Sequence, residues 1–118
     1  MEAEWYAIGE AAAAAINQAR EQGGAIWAVG TTTVRALETA VGDRGFVSPM
    51  AGSTELFIRP GHRFRAVDRL ITNFHLPRST LLMLVAAFAG YGLTMKAYRH
   101  AVEQRYRFYS YGDAMVIL

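Results

Sequence analysis

Cysteine is absent from this chain, and lysine occurs once, at Lys96. Without thiols there is no disulfide, no thiolate metal site and no cysteine nucleophile. Histidine is sparse: His62, His75 and His100 stand at no metal-ligand spacing from one another, and no His-x-Glu pair occurs, so no metal is expected. The longest apolar run, Leu81 to Leu93, is broken by Gly90 and Gly92. It falls short of the roughly 20 residues that a bilayer requires. No basic-then-apolar leader opens the chain, so the expectation is a cytoplasmic protein with no membrane association. No repeat is present, and the only biased stretch is the alanine run Ala11 to Ala15.

What is present points to one α/β domain. At 118 residues the chain has one domain's length and enough sequence for a core. A helix is predicted from about Ile8 to Gln22, stopped by Gly23-Gly24. Ala25 to Val29 reads as a short, fully buried strand, followed by Gly30 and a helix from Thr31 to about Ala40. Val41 to Gly52 is loop-like, Thr54 to Ile58 is predicted as a strand, and Phe64 to Val67 is ambiguous. Leu70 to Thr72 reads as a buried strand. Pro77 ends any regular element, and Ser79 or Thr80 caps an apolar core helix that runs to Phe88. A second helix is expected from Thr94 to about Arg105, with Met95, Tyr98 and Val102 on its apolar face. Ala114 to Leu118 reads as a final buried strand. Strands alternating with helices predict a mostly parallel sheet flanked by helices in a single layered domain.

Three stretches carry chemistry. Gly30-Thr31-Thr32-Thr33 places a glycine and three hydroxyls at a helix start, where backbone N–H groups and the helix dipole favour a carboxylate, a phosphate or ribose hydroxyls. It is neither a Walker loop nor a dinucleotide fingerprint, and on pattern alone a plain glycine turn with a threonine N-cap accounts for it. Arg35, one turn in, could clamp a carboxylate bidentately or pair with Glu38 on the helix surface. Asn73 and His75 stand at a strand's carboxyl end, where α/β folds bind ligands. An imidazole there can move a proton near neutral pH or simply bond a backbone carbonyl. His62 and His100 read as exposed, without special role.

Charge is uneven. Arg59, Arg63, Arg65, Arg69 and Arg78 face only Asp68 in the middle of the chain. The first 24 residues carry Glu2, Glu4, Glu10 and Glu21 against Arg20. Such a basic middle could steer RNA, with Arg63 and Arg65 as contacts, or it could be a solvated face. Tyr106-Arg-Phe-Tyr-Ser-Tyr-Gly112 interleaves arginine with aromatics. Arg107 and Tyr109 could hold phosphates and stack bases, or the aromatics could pack where helix turns into strand. Asp113 could accept hydrogen bonds from a ribose or an amine, or cap a turn.

Four ordered blocks carry a resemblance: Ala28-Val-Gly-Thr-Thr-Thr-Val-Arg35, Phe57-Ile-Arg-Pro-Gly61, Asn73-Phe-His-Leu-Pro77 with its Ser-Thr-Leu-Leu-Met-Leu continuation, and Tyr106-Arg-Phe-Tyr-Ser-Tyr-Gly-Asp-Ala-Met115. Together they resemble the C-terminal part of the S-adenosylmethionine:tRNA ribosyltransferase-isomerase family of queuosine biosynthesis. The resemblance implies a fragment corresponding to about the last third of a two-domain enzyme. The N-terminal and barrel regions of such an enzyme would lie outside this chain. It also accounts for the composition, 53% hydrophobic and 19% charged, as that of a domain whose surface is partly covered by other sequence.

The activity so implied moves the ribosyl unit of S-adenosylmethionine, the co-substrate, onto the aminomethyl group of a 7-deazaguanine base at the tRNA wobble position. The sugar is isomerised to an epoxycyclopentane, and adenine and methionine leave. A base must remove a proton beside the sulfonium and an acid must assist adenine. The resemblance assigns His75 and Glu4 to proton transfer. It assigns Gly30, Thr31, Thr32, Thr33 and Arg35 to the methionine or ribose part, with Asn73 and Asp113 beside the substrate. The family's first block has a histidine where this chain has Glu2. The alternative is a non-catalytic remnant that binds a nucleotide or RNA, or an interaction domain.

Overall fold

A computed structural model describes residues 3–75, 79–109 and 112–118. Nine elements follow one another: β1 (Glu4–Ile8), α1 (Glu10–Glu21), β2 (Trp27–Val29), α2 (Thr31–Ala40), β3 (Met50–Thr54), β4 (Arg69–Asn73), α3 (Thr80–Ala89), α4 (Tyr91–Glu103) and β5 (Ala114–Ile117). The expected α/β class holds, but the sheet is not mostly parallel. β1 and β3 form an antiparallel pair, while β2, β4 and β5 form a three-stranded sheet in that order. Within it β2 and β4 are parallel and β4 and β5 antiparallel.

The connections explain the directions. A parallel pair needs a crossover, and the path from β2 to β4 supplies one through α2. Between β4 and β5 the chain makes two helices instead of one, with a 118° bend between them, so it returns to β4 running the other way. Gly90 makes that bend. At φ +92° it closes α3 and opens α4 without an intervening loop, a conformation that suits glycine.

β1 lies where no strand was expected. Glu-Trp-Tyr-Ala-Ile alternates, with Tyr6 and Ile8 facing the core and Trp5 and Ala7 outward, so the first helix begins after Gly9 and not at Ile8. β3 likewise takes the end of the predicted loop. Its register pairs Ile8 with Met50 and Glu4 with Thr54. Among the described residues no strand pairs beyond Thr54, so the predicted strand 54–58 is irregular after its first residue, and Ile58 enters the core from irregular chain. The segment 64–67 is neither helix nor strand.

The main core gathers Ile26, Ala28, Val34, Leu37, Ile58, Leu70 and Leu84 between the three-stranded sheet and its helices. A second cluster joins Phe74, Leu82, Tyr98 and Ala101, with Phe108 and Met115 against it. Phe108 stacks on Phe74 at 5.3 Å, and Tyr98 meets the same ring edge-on. Ser79 caps α3 as expected, accepting from the Leu82 N–H at 3.1 Å. α3 buries Leu82, Leu84, Val85 and Ala86, although Met83 faces outward. α4 presents Thr94, Tyr98 and Ala101 inward, at i, i+4 and i+7. Val102, expected on that face, is exposed. β2 and β5 are not fully buried strands: Trp27, Val29 and Val116 stand on the open face of the sheet. Among the described residues no single helix is long and apolar enough to cross a membrane.

Candidate ligand cleft at the carboxyl ends of two parallel strands

β2 and β4 end side by side because they are parallel, and the residues that follow both ends line one cleft of about 300 Å³. From β2 come Val29, Gly30, Thr31, Thr32 and Thr33; from β4 come Ile71, Thr72, Asn73 and His75. The tertiary fold thus brings together two stretches that are about forty residues apart in the chain.

Gly30 sets the first wall. At φ +94° it turns the chain from strand into helix, and its N–H donates to the Ile71 carbonyl at 2.8 Å, fastening the turn to β4. α2 starts at once, and its N-cap makes no side-chain capping bond. The threonine hydroxyls therefore do not cap the helix. Thr33 Oγ1 donates to the Val29 carbonyl at 2.9 Å, and Thr32 Oγ1 donates to Glu4 Oε2 at 2.9 Å. The uncapped N-terminus leaves backbone donors and the positive dipole end beside the cleft, which favours an anionic or hydroxyl-rich ligand group.

His75 forms the opposite wall, half-buried. Its Nε2 lies 3.0 Å from Thr72 Oγ1, and its backbone N–H donates to the Tyr98 hydroxyl at 2.8 Å. Burial holds the imidazole below its ordinary value of 6.5, so the ring is neutral at physiological pH and able to accept a proton. Tyr98 is pushed up by burial, partly offset by the bond from His75, and stays a neutral phenol. Asn73 is exposed along the same rim.

The other sequence candidates lie elsewhere. Arg35 is only 2% exposed and Glu38 only 5%, so the two do not form the expected surface pair. Its Nε donates to the Leu56 carbonyl at 3.0 Å, its Nη2 reaches the Thr54 carbonyl, and its Nη1 forms an ion pair with Glu4. Glu4 therefore stands behind the cleft wall, joined to it through Thr32. Arg63 and Arg65 line a different and wider cleft with Arg20, Arg44 and His62, where Arg65 also pairs with Asp43 at 3.1 Å. Asp113 accepts from the Arg107 N–H and so caps the turn that leads into β5. Tyr109, at φ +58°, donates its N–H to the Phe74 carbonyl at 2.8 Å, which brings the Arg107–Tyr109 stretch against the residue preceding His75. Glu2, Pro77, Arg78, Ser110 and Tyr111 lie outside the described residues.

Three functional-looking groups escaped the sequence reading. Thr72 and Tyr98 set the His75 ring and backbone, and the half-buried His62 lies 3.1 Å from the buried Glu38 carboxylate. His62 is thus half-buried and partnered, whereas it was expected to be exposed. Strand alternation places Thr72 on the buried face with Leu70, and the i, i+4, i+7 set of α4 contains Tyr98. Those are the only signals the chain offers. Among the described residues no three His, Asp or Glu side chains converge into a group that could hold a metal.

Comparison with known proteins agrees with the four sequence blocks. The family model described as queuosine biosynthesis protein matches residues 1–117. The S-adenosylmethionine:tRNA ribosyltransferase-isomerase of Symbiobacterium thermophilum is 60% identical over 118 residues, covering 100% of this chain and 35% of its own length. The protein of the same name from Anaeromyxobacter dehalogenans is 62% identical, over 100% and 34%. The crystal structure of the S-adenosylmethionine tRNA ribosyltransferase of Thermotoga maritima superposes with a TM-score of 0.89 at 54% identity, over 97% of this chain and 40% of that one. The chain thus spans about a third of the length of the curated relatives it matches. With a family match along nearly its whole length, this chain belongs to the queuosine biosynthesis protein family.

Proposed function

We propose that this chain is the cleft-bearing part of an S-adenosylmethionine:tRNA ribosyltransferase-isomerase, and that the 118 residues alone do not turn over substrate. The reaction would transfer and isomerise the ribosyl unit of S-adenosylmethionine onto 7-aminomethyl-7-deazaguanine in tRNA, giving epoxyqueuosine. One observation carries the reading: the Gly30–Thr33 turn, Asn73 and His75 share one cleft in a chain of this family.

In this reading the first turn of α2 binds the methionine carboxylate or the ribose hydroxyls through its backbone N–H donors, while the Thr32 and Thr33 hydroxyls, already donating to Glu4 and Val29, accept from ribose O–H groups. His75, kept neutral by burial, accepts a proton from the sugar carbon next to the sulfonium, and Thr72 orients its ring. Glu4, behind the wall and joined to the cleft through the Thr32 hydroxyl, is the second proton-transfer candidate, acting by way of that hydroxyl, and it also fixes Thr32. Asn73 contacts substrate at the rim. Arg107 and Tyr109, on the stretch that packs over Phe74, and the separate Arg63 and Arg65 cleft are the proposed tRNA contacts.

Calorimetric titration of the 118-residue chain with S-adenosylmethionine tests the assignment, with Thr33→Val and His75→Gln alongside. Binding weakened by Thr33→Val supports the turn as the ligand seat. His75→Gln should leave affinity nearly unchanged in the fragment and lower kcat when the same substitution is made in a full-length relative. If S-adenosylmethionine binds equally well to the parent and to Thr33→Val, the turn is not the seat.

A further inference from the structure

The three-stranded sheet ends in an unfinished edge. Because the Gly30 N–H bonds the Ile71 carbonyl, the backbone groups of Ile71 point toward β2. Ile71 faces Val116 across β4 and β5, so that pair exchanges no hydrogen bonds, and the ladder runs through the flanking pairs Leu70–Ile117 and Thr72–Met115. The N–H and C=O of Ala114 and Val116 therefore point away from β4, along an edge that no strand among the described residues covers. Natural edge strands are usually guarded by a charge, a proline or a bulge. Ala-Met-Val-Ile carries no charge and no proline, and its register with β4 runs without interruption.

Beside this edge lies an apolar groove of about 430 Å³, walled by Ile117 from β5, Val85 and Ala89 from α3, and Leu93 and Ala97 from α4. Thr94 lines it too. Its hydroxyl is buried and has no hydrogen-bond partner among the described residues, which costs stability for as long as nothing meets it. Open backbone groups, an apolar groove and an unmet buried hydroxyl together describe the seat of an extended apolar segment that brings its own backbone donors and acceptors. Family members of about three times this length have ample chain to supply it.

We propose that the free edge of β5 pairs with a strand contributed by the portion of the longer family protein that these 118 residues do not contain, with side chains of that segment filling the groove over Thr94. The proposal rests on family membership and on the sheet's register, and it is independent of the activity assigned above.

Amide hydrogen exchange by NMR tests it. One sample is the 118-residue chain. The other is a chimera in which these residues replace the matching third of the Symbiobacterium thermophilum relative. In the isolated chain the Val116 amide should exchange far faster than those of Met115 and Ile117. In the chimera it should slow by at least about 100-fold, to the range of core amides. The Thr94→Val change should raise the melting temperature of the isolated chain and lower that of the chimera. If the chimera fails to fold, the amide aligned with Val116 in the intact relative gives the same readout. A Val116 amide that stays fast in the longer protein overturns the proposal. So does protection that grows with concentration of the isolated chain, which would make a second copy the occupant, and so does a Thr94→Val effect of the same sign in both proteins.

Discussion

Arg35 reaches from the buried side of α2 to the carboxylate of Glu4, and so ties the first strand to the helix whose first turn lines the cleft. Neither residue is near the other in sequence, and neither faces the ligand space directly. The pair acts through Thr32, whose hydroxyl donates to the second oxygen of the same carboxylate. What the chain offers as a candidate carboxylate clamp is, in the folded molecule, a brace for the cleft wall.

Arg35→Ala should therefore be a stability variant first. It removes a buried cation and leaves two backbone carbonyls and a carboxylate without their donor, a loss of about 3–5 kcal/mol. Arg35→Lys should recover only part of this, because one ammonium cannot reach three acceptors in a fork. Urea unfolding at neutral pH measures both, and a loss below about 1 kcal/mol for the alanine variant would contradict the bracing role.

Glu38→Gln should cost about 2–3 kcal/mol, again read by urea unfolding. The buried carboxylate accepts from the backbone N–H groups of Arg65, Ala66 and Val67 at 3.0, 2.8 and 3.0 Å. A glutamine turns one of those acceptors into a donor. Amide exchange at 65–67 should accelerate together with the loss of stability. Unchanged exchange there would show that the segment is held by other contacts.

Gly30→Ala tests the turn itself. At φ +94° and ψ 150° an L-residue is strained, and a methyl group there would meet nothing within 4 Å, so the penalty comes from the backbone alone. The expected loss is about 1–3 kcal/mol in thermal or denaturant unfolding. S-adenosylmethionine affinity should fall with it if the turn is the ligand seat. A fully stable variant would show that the turn adapts more easily than its dihedrals indicate.

His75 should leave a pH signature. Its folded value lies below the unfolded 6.5, because burial disfavours the charged ring. Between those two values the unfolded chain binds more protons than the folded one. Stability is thus complete above pH 6.5 and declines as pH falls through the window down to the folded value. His75→Gln should flatten that decline in a series of unfolding curves. An imidazole midpoint at or above 6.5 in an NMR titration would sink the argument.

The stretches that line the cleft were more legible than the topology. Gly30 with its threonines and Asn73 with His75 each carry a local signal, a glycine between strand and helix or polar residues at a strand end, and both survive into the cleft. Arg35 and Glu38 were misleading because spacing along a helix shows which side chains are neighbours, not which face is covered. Both are buried, and each finds partners on segments that follow or precede it by more than twenty residues. β1 and β3 were missed because each has one partner and short, weak alternation. Their pairing is a long-range event that local propensity does not encode.

The sequence by itself determined the α/β class, the family, and the helix starts at Gly30 and Ser79, because each rests on residues adjacent in the chain. Only the tertiary structure decided that β5 runs antiparallel, that Arg35 braces Glu4, and that Thr72 and Tyr98 set His75. Those outcomes depend on which surfaces meet after two helices have turned the chain back on itself. Burial then chooses among partners that are equivalent in the sequence.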